Sequence, residues 1–221
     1  QTLGVTHPET AESLDSLAAY LERSGDPADF AAARSFYERA LAIHEQILGP
    51  THAATATSLC HLAAYLAQSG DPASRAVARP LHERALAIRE QALGPTHLAT
   101  AQSLNYLCDY LQGTGDPADQ AMGRSLSERA LAILEKAVGP THPETAFGLL
   151  NLAFNLKNTG DPADREAARP LIERALAINE LALGPKHPST AASLRVLALY
   201  LAASDNPTDR AAARPLCYRA L

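Results

Sequence analysis

The feature that most constrains this 221-residue chain is a period of 45 residues. The triplet Gly25-Asp26-Pro27 returns at Gly70-Asp71-Pro72, Gly115-Asp116-Pro117 and Gly160-Asp161-Pro162, then in altered form as Asp205-Asn206-Pro207. Glu38-Arg39-Ala40-Leu41 recurs from Glu83, Glu128 and Glu173, and as Tyr218-Arg219-Ala220-Leu221. A histidine keeps the same interval at His7, His52, His97, His142 and His187. Self-similarity at this period describes a structural unit that cannot bury its apolar face alone and must stack on its neighbours. The expected organisation is a single array over residues 1–221, with repeats at about 6–50, 51–95, 96–140, 141–185 and a shortened 186–221.

Within each repeat the apolar spacing is helical. Leu14, Leu17, Ala18 and Leu21 fall at i, i+3, i+4 and i+7, which predicts a helix A from about Pro8 to Arg23. Ala33, Phe36, Ala40, Ile43 and Ile47 alternate steps of three and four and predict a helix B. Ser-Gly-Asp-Pro separates A from B, with Asp26, Asp71, Asp116 and Asp161 placed to cap helix B. Leu48-Gly49-Pro50-Thr51 stops B before the next A. Thr6 with Glu9, and Thr141 with Glu144, read as capping boxes that open helix A. Pro80, Pro170 and Pro215 stand where other repeats carry Ser35 and Ser125, so helix B either restarts there or runs through them.

These patterns resemble the tetratricopeptide repeat. Its Trp-x-x-Leu-Gly-x-x-Tyr signature has its counterpart in Leu14, Leu17, Ala18 and Leu21, and its alanine-to-aromatic step in Ala33, Tyr37 and Ala40. The family unit is about 34 residues long, so the excess here is about 11, split between the A-to-B turn and the end of helix B. A long second helix ending in Leu-Gly-Pro, followed by His-Pro and Thr-Ala, looks like the kinesin-light-chain type of the repeat. The resemblance implies an all-α fold, a right-handed α-α superhelical solenoid of about five antiparallel helix pairs. It also implies that helix A lines a concave groove holding a peptide or partner helix.

Comparison of the five repeats separates framework from freedom. On helix A, the stripe away from Leu14 runs Glu12, Asp15, Ala19, Glu22 in the first repeat and Thr57, Cys60, Ala64, Ala67 in the second. It continues as Gln102, Asn105, Asp109, Gln112, then Phe147, Leu150, Phe154, Lys157, then Ala192, Arg195, Leu199, Ala202. His61, Tyr106 and Asn151 border it one position along. The candidate partner-binding residues are therefore Asp15, Cys60, His61, Asn105, Tyr106, Asp109, Gln112, Phe147, Leu150, Asn151, Phe154, Lys157, Arg195 and Leu199. They predict a groove acidic at one end, polar in the middle and apolar around Phe147, Leu150 and Phe154. The competing expectation is that these three pack on the fifth repeat as core.

Other functions find little support. With 19 Lys and Arg against 24 Asp and Glu the net charge is −5, so the chain has no electrostatic reason to hold nucleic acid. Cys60, Cys108 and Cys217 are odd in number and far apart, which suits free thiols and a cytoplasmic setting. No apolar run is long enough to span a bilayer. The histidines stand one helix-packing distance apart, too far to share a metal ion, and are expected to satisfy backbone groups at the start of helix A. Arg34 and Glu38 form an exposed i,i+4 pair, and Cys60 is either a reactive thiol or a small filler. No phosphate loop or nucleophile motif is present, so no catalytic residue, metal or cofactor is expected.

The leading expectation is a protein-binding scaffold. The second, from family analogy alone, is a sensor or autoinhibitory arm of a bacterial signalling protein whose catalytic domain, a STAND-type nucleotide-hydrolysing switch or a protease, lies outside these residues. An opening at Gln1 and an end at Leu221 within a helix B predict an excised piece, or ends that stack on copies of the chain.

Overall fold

The computed structural model describes residues 7–220 and is all-helical, with no strand among the described residues. The helices alternate A and B as the period requires: α1 (Pro8–Glu22), α2 (Pro27–Ile47), α3 (Ala53–Gln68), α4 (Pro72–Leu93), α5 (Leu98–Gln112), α6 (Pro117–Ala137), α7 (Pro143–Asn158), α8 (Pro162–Leu183), α9 (Pro188–Ala202) and α10 (Pro207–Arg219). They group into two compact units, one ending at Tyr110 and one beginning at Leu111, so the boundary falls within α5. In the first unit α1 packs on α2, α2 on α3 and α3 on α4. In the second the sequence of contacts is α6 on α7, α7 on α8, α8 on α9 and α9 on α10.

Every cap of helix B that the sequence indicates is present. Asp26, Asp116 and Asp161 each accept the backbone N–H two residues on at 2.8 Å, and Asp71 accepts from Ala73 and Ser74. Gly49, the residue after Leu48, has φ +95°, a conformation that L residues resist, and this releases the chain from helix B.

Helix A opens differently from the capping-box expectation. The N-cap is the periodic histidine. Nδ1 of His52, His97 and His187 accepts a backbone N–H at 3.1 Å, and that of His7 and His142 at 3.2 Å. Thr141 is therefore displaced by its neighbour His142, which takes the Glu144 N–H; Thr6 lies outside the described residues. The hydroxyl that matters comes three residues after each histidine. Thr55, Thr100, Thr145 and Thr190 are buried and donate back to the carbonyls of Gly49, Gly94, Gly139 and Gly184 at 2.7–2.8 Å. His142→Ala should cost about 1 kcal/mol by losing this cap, whereas His142→Asn should keep most of it. Thermal unfolding of the two variants reads the difference.

Helix B runs unbroken through Pro80, Pro170 and Pro215. Each proline frees the carbonyl four residues earlier, on Ala76, Glu166 and Ala211, and all three of these residues are exposed, so water can satisfy the orphaned acceptor.

The core is mostly alanine and leucine, and of the residues at helical spacing Leu14, Ala18, Ala33, Ala40 and Ile43 are buried, together with Ala11. Leu17 and Ile47 are corrections, being 42% and 47% exposed. In their place the first repeat buries Tyr37 and His44. A tyrosine also ties helix A to the start of the preceding helix B. Tyr65, Tyr110 and Tyr200 donate to the carbonyls of Phe30, Arg75 and Arg165 at 2.9, 3.1 and 2.7 Å.

Candidate partner-binding surfaces

The helix A positions that vary between repeats divide into buried and open columns. Asp15, Cys60 and Asn105 are buried, which corrects their assignment to an open groove. In the first unit their column faces the next helix A. Ser58 Oγ on α3 donates to Asp15 Oδ2 on α1 at 2.8 Å, and Cys60 Sγ lies 3.6 Å from Ser103 Oγ on α5. Burial pushes the Cys60 thiol pKa up, so it is a filler and not a reactive thiolate. Cys108 is buried as well, while Cys217 is exposed.

A serine, a histidine and an aspartate do meet in this first unit, but not as a nucleophilic site. His44 Nδ1 lies 2.9 Å from Ser58 Oγ, whose own proton is directed at Asp15. The imidazole therefore donates to the serine and is not its base. All three residues are buried away from any substrate.

The same geometry recurs beyond this triplet and was not legible in single residues. Each helix B presents one side chain to a small residue on the next helix A. His44 meets Ser58, Arg89 Nη1 meets Ser103 Oγ at 3.0 Å, and Asn179 Nδ2 meets Ser193 Oγ at 2.9 Å. Between α6 and α7 the pair is instead Leu134 with Gly148, where a Cβ on the glycine would come within 2.8 Å of Leu134 Cδ1. Two columns that change together along the chain were the available signal.

The open columns keep the remaining candidates. In the first unit Asp109 is exposed and His61 and Tyr106 are half-buried. Asp109 reaches solvent yet is crowded by protein, and that desolvation alone raises its pKa to about 6. Tyr37, which sequence reasoning had treated as framework, donates to Glu22 Oε2 at 2.8 Å, and Gln68 donates to Glu22 Oε1 at the same distance. Rings line up beside them, Tyr37 to His61 at 6.2 Å, His61 to Tyr106 at 6.5 Å and Tyr106 to His82 at 6.1 Å.

In the second unit Phe147 and Phe154 on α7 are 53% and 50% exposed, and Leu199 on α9 is 59% exposed. Leu150 alone of the three predicted apolar residues joins the core, packing against the cluster around Leu149, Leu194 and Leu197. Asn151 and Gln112 are half-buried, and Lys157 and Arg195 are exposed. The second unit balances twelve carboxylates with twelve Lys and Arg, whereas the first carries twelve carboxylates against seven arginines and hence the whole excess of −5.

Comparison with known proteins agrees with this architecture. A tetratricopeptide repeat profile matches residues 28–74, and a second tetratricopeptide repeat profile matches 55–99 and 149–189. The chain belongs to the tetratricopeptide repeat family. Its repeats are of the kinesin-light-chain type. The structure is similar to the nearly identical TPR-like repeats of a Podosopora anserina protein assigned as a kinesin light chain, with TM-score 0.71 and 25% identity over 97% of this chain and 94% of that one. It also shares the fold of BtubC (BKLC) from P. vanneervenii, with TM-score 0.76 and 20% identity over 96% and 80% of the two chains. No curated protein matches the sequence. No helix among the described residues of this tetratricopeptide repeat chain is long and apolar enough to cross a membrane.

Proposed function

We propose that this tetratricopeptide repeat chain is an interaction scaffold that binds a peptide or protein segment on its helix A surfaces and performs no chemistry itself. Tetratricopeptide repeats generally mediate protein–protein contact. The observation that carries the reading is the exposure of Phe147 and Phe154, two large aromatics one heptad apart on α7, in a chain with only four phenylalanines. Exposed aromatic surface of this kind marks contact sites, and the other repeats put glutamate, threonine, glutamine or alanine at the column of Phe147. Buried free thiols at Cys60 and Cys108 are in keeping with a cytoplasmic setting.

The test is selection of peptides from a random displayed library against the full chain, followed by binding to variants. The double variant Phe147→Ala, Phe154→Ala should weaken peptides bound at the second unit by tenfold or more, about 1.4 kcal/mol, with little change in thermal midpoint. Unchanged binding together with a large fall in the midpoint would make these rings structural and refute their assignment to a binding surface.

A further inference from the structure

We propose that α10 of one copy of this chain packs against α1 and the start of α2 of a second copy, in the register that joins a helix B to the next helix A inside the chain. This surface is separate from the peptide-binding reading, and its partner is the chain itself.

Two faces that are covered in other repeats are open here. On α1, Tyr20 is 69% exposed and Leu17 is exposed as well, while their equivalents Tyr65, Tyr200, Leu62 and Leu197 are all buried. In those repeats helix A lies on the preceding helix B, α3 on α2 and α9 on α8. On α10 Cys217 is exposed, whereas Tyr37, His82, Ser127 and Ile172 at the equivalent position are buried. The outer faces of α10 and α1 are therefore the two halves of one recurring joint.

A tyrosine sits at the centre of that joint. Tyr65 stacks on Phe30 with ring centroids 4.6 Å apart, lies 5.8 Å from the Tyr37 ring and donates to the Phe30 carbonyl at 2.9 Å. Tyr200 donates in the same way to the Arg165 carbonyl at 2.7 Å. On α10 the equivalents of Phe30, Ala33 and Tyr37 are Arg210, Ala213 and Cys217. With Ala202, Arg214 and Tyr218 they line a pocket of about 490 Å³. Cysteine in place of the Tyr37 ring leaves that pocket room for an incoming side chain. Tyr20 of a second copy enters it in the register of Tyr65, with its hydroxyl directed at the Arg210 carbonyl.

Charge selects the same pairing. In the second unit an arginine on one helix B reaches an aspartate in the first turn of the next, Arg124 Nη1 to Asp164 Oδ1 at 2.7 Å and Arg169 Nη1 to Asp209 Oδ1 at 3.2 Å. Asp29 and Arg214 hold the equivalent positions on α2 and α10. Asp29 has no hydrogen bond or ion pair among the described residues. Arg214 meets only Tyr218, which stands where Glu38, Glu83, Glu128 and Glu173 pair with the equivalent arginines. Continuing the period from α10 into a second copy brings Asp29 to Arg214 as Asp209 stands to Arg169. Each copy offers a different face, so the contact is heterologous and can pass from one copy to the next.

Sedimentation velocity of the full chain at low salt, between about 5 and about 500 μM, tests this. The weight-average mass should rise with concentration, and Tyr20→Ala should raise the concentration needed about tenfold. Asp29→Arg and Arg214→Asp should each raise it about fivefold or more. An equimolar mixture of these two single variants, like the variant carrying both changes, should recover most of the loss, because each unlike pairing is again between opposite charges. Tyr20→Ala and Arg214→Asp alter exposed side chains, so both should melt close to the parent at the lowest concentration. A mass that stays at the monomer's throughout, or no recovery in the mixture, would overturn the proposal. So would association that survives Tyr20→Ala but is lost in Phe147→Ala, Phe154→Ala, since the copies would then meet on α7.

Discussion

Replacing Arg89 by alanine should lower the stability of the first unit by about 3 kcal/mol or more. The guanidinium is 4% exposed and bridges three helices, donating from α4 to Ala99 and Ser103 on α5 at 2.8 and 3.0 Å and to Thr57 on α3 at 2.9 Å. Truncation removes these bonds, leaves polar acceptors inside the unit and opens a cavity. The charge itself is another matter, because it is buried against neutral acceptors and its Nε has no partner. An apolar replacement of similar reach can match a buried charge in stability when the facing surface is changed with it. The chain already contains that solution in Leu134 facing Gly148. The double variant Arg89→Leu, Ser103→Gly should therefore recover to within about 1 kcal/mol of the parent. Urea unfolding followed by circular dichroism measures all three proteins. If the double variant is as unstable as Arg89→Ala, the hydrogen bonds and not the filled volume hold α4 in place.

Features stated within one repeat are legible in the sequence, and features that depend on contacts between repeats are not. Period, helix pairs and the aspartate caps are local: Gly-Asp-Pro states its turn within three residues, and every repeat restates it. The periodic histidine was legible as the group that meets a backbone N–H at the start of helix A, but the capping box at Thr141 is not formed, because the imidazole takes that N–H and the working hydroxyl is Thr145 and its equivalents. The groove was harder. A polar residue on a variable stripe looks solvent-facing unless its partner is known, and the partner of Asp15 is Ser58, 43 residues away. Asp15, Cys60 and Asn105 were therefore placed outside when neighbouring helices enclose them. Phe147 and Phe154 presented the opposite difficulty, since apolar spacing suggests core and only the absence of the same residues in other repeats argues for exposure. Position along a helix is periodic and readable, but which face meets a neighbour depends on contacts between repeats.

Acid should destabilise the first unit through His82. This residue is 1% exposed, and burial lowers its pKa from the ordinary 6.5 to about 4. Between those values the unfolded chain binds a proton that the folded chain refuses. Stability is therefore full above about pH 6.5 and falls as the pH drops toward 4, by about 3 kcal/mol at the low end. Asp109 works in the other direction. Its pKa is raised from 3.8 to about 6, so the folded state holds the extra proton and gains stability as the pH falls through that interval. Its exposure to solvent screens the effect to about 1 kcal/mol, which leaves the histidine dominant. Ile172 shows that an aliphatic side chain can be buried at the equivalent position of another repeat, so His82→Ile is the discriminating variant. Its loss of the ring contacts with Tyr106 and Tyr110 shifts stability at every pH, whereas removal of the imidazole changes the slope. Urea midpoints across the range should fall with acid in the parent and fall much less, or rise, in His82→Ile. Parallel curves for the two proteins would mean that the imidazole is protonated in the folded state without penalty, and that the space around it is not the dry interior its burial implies.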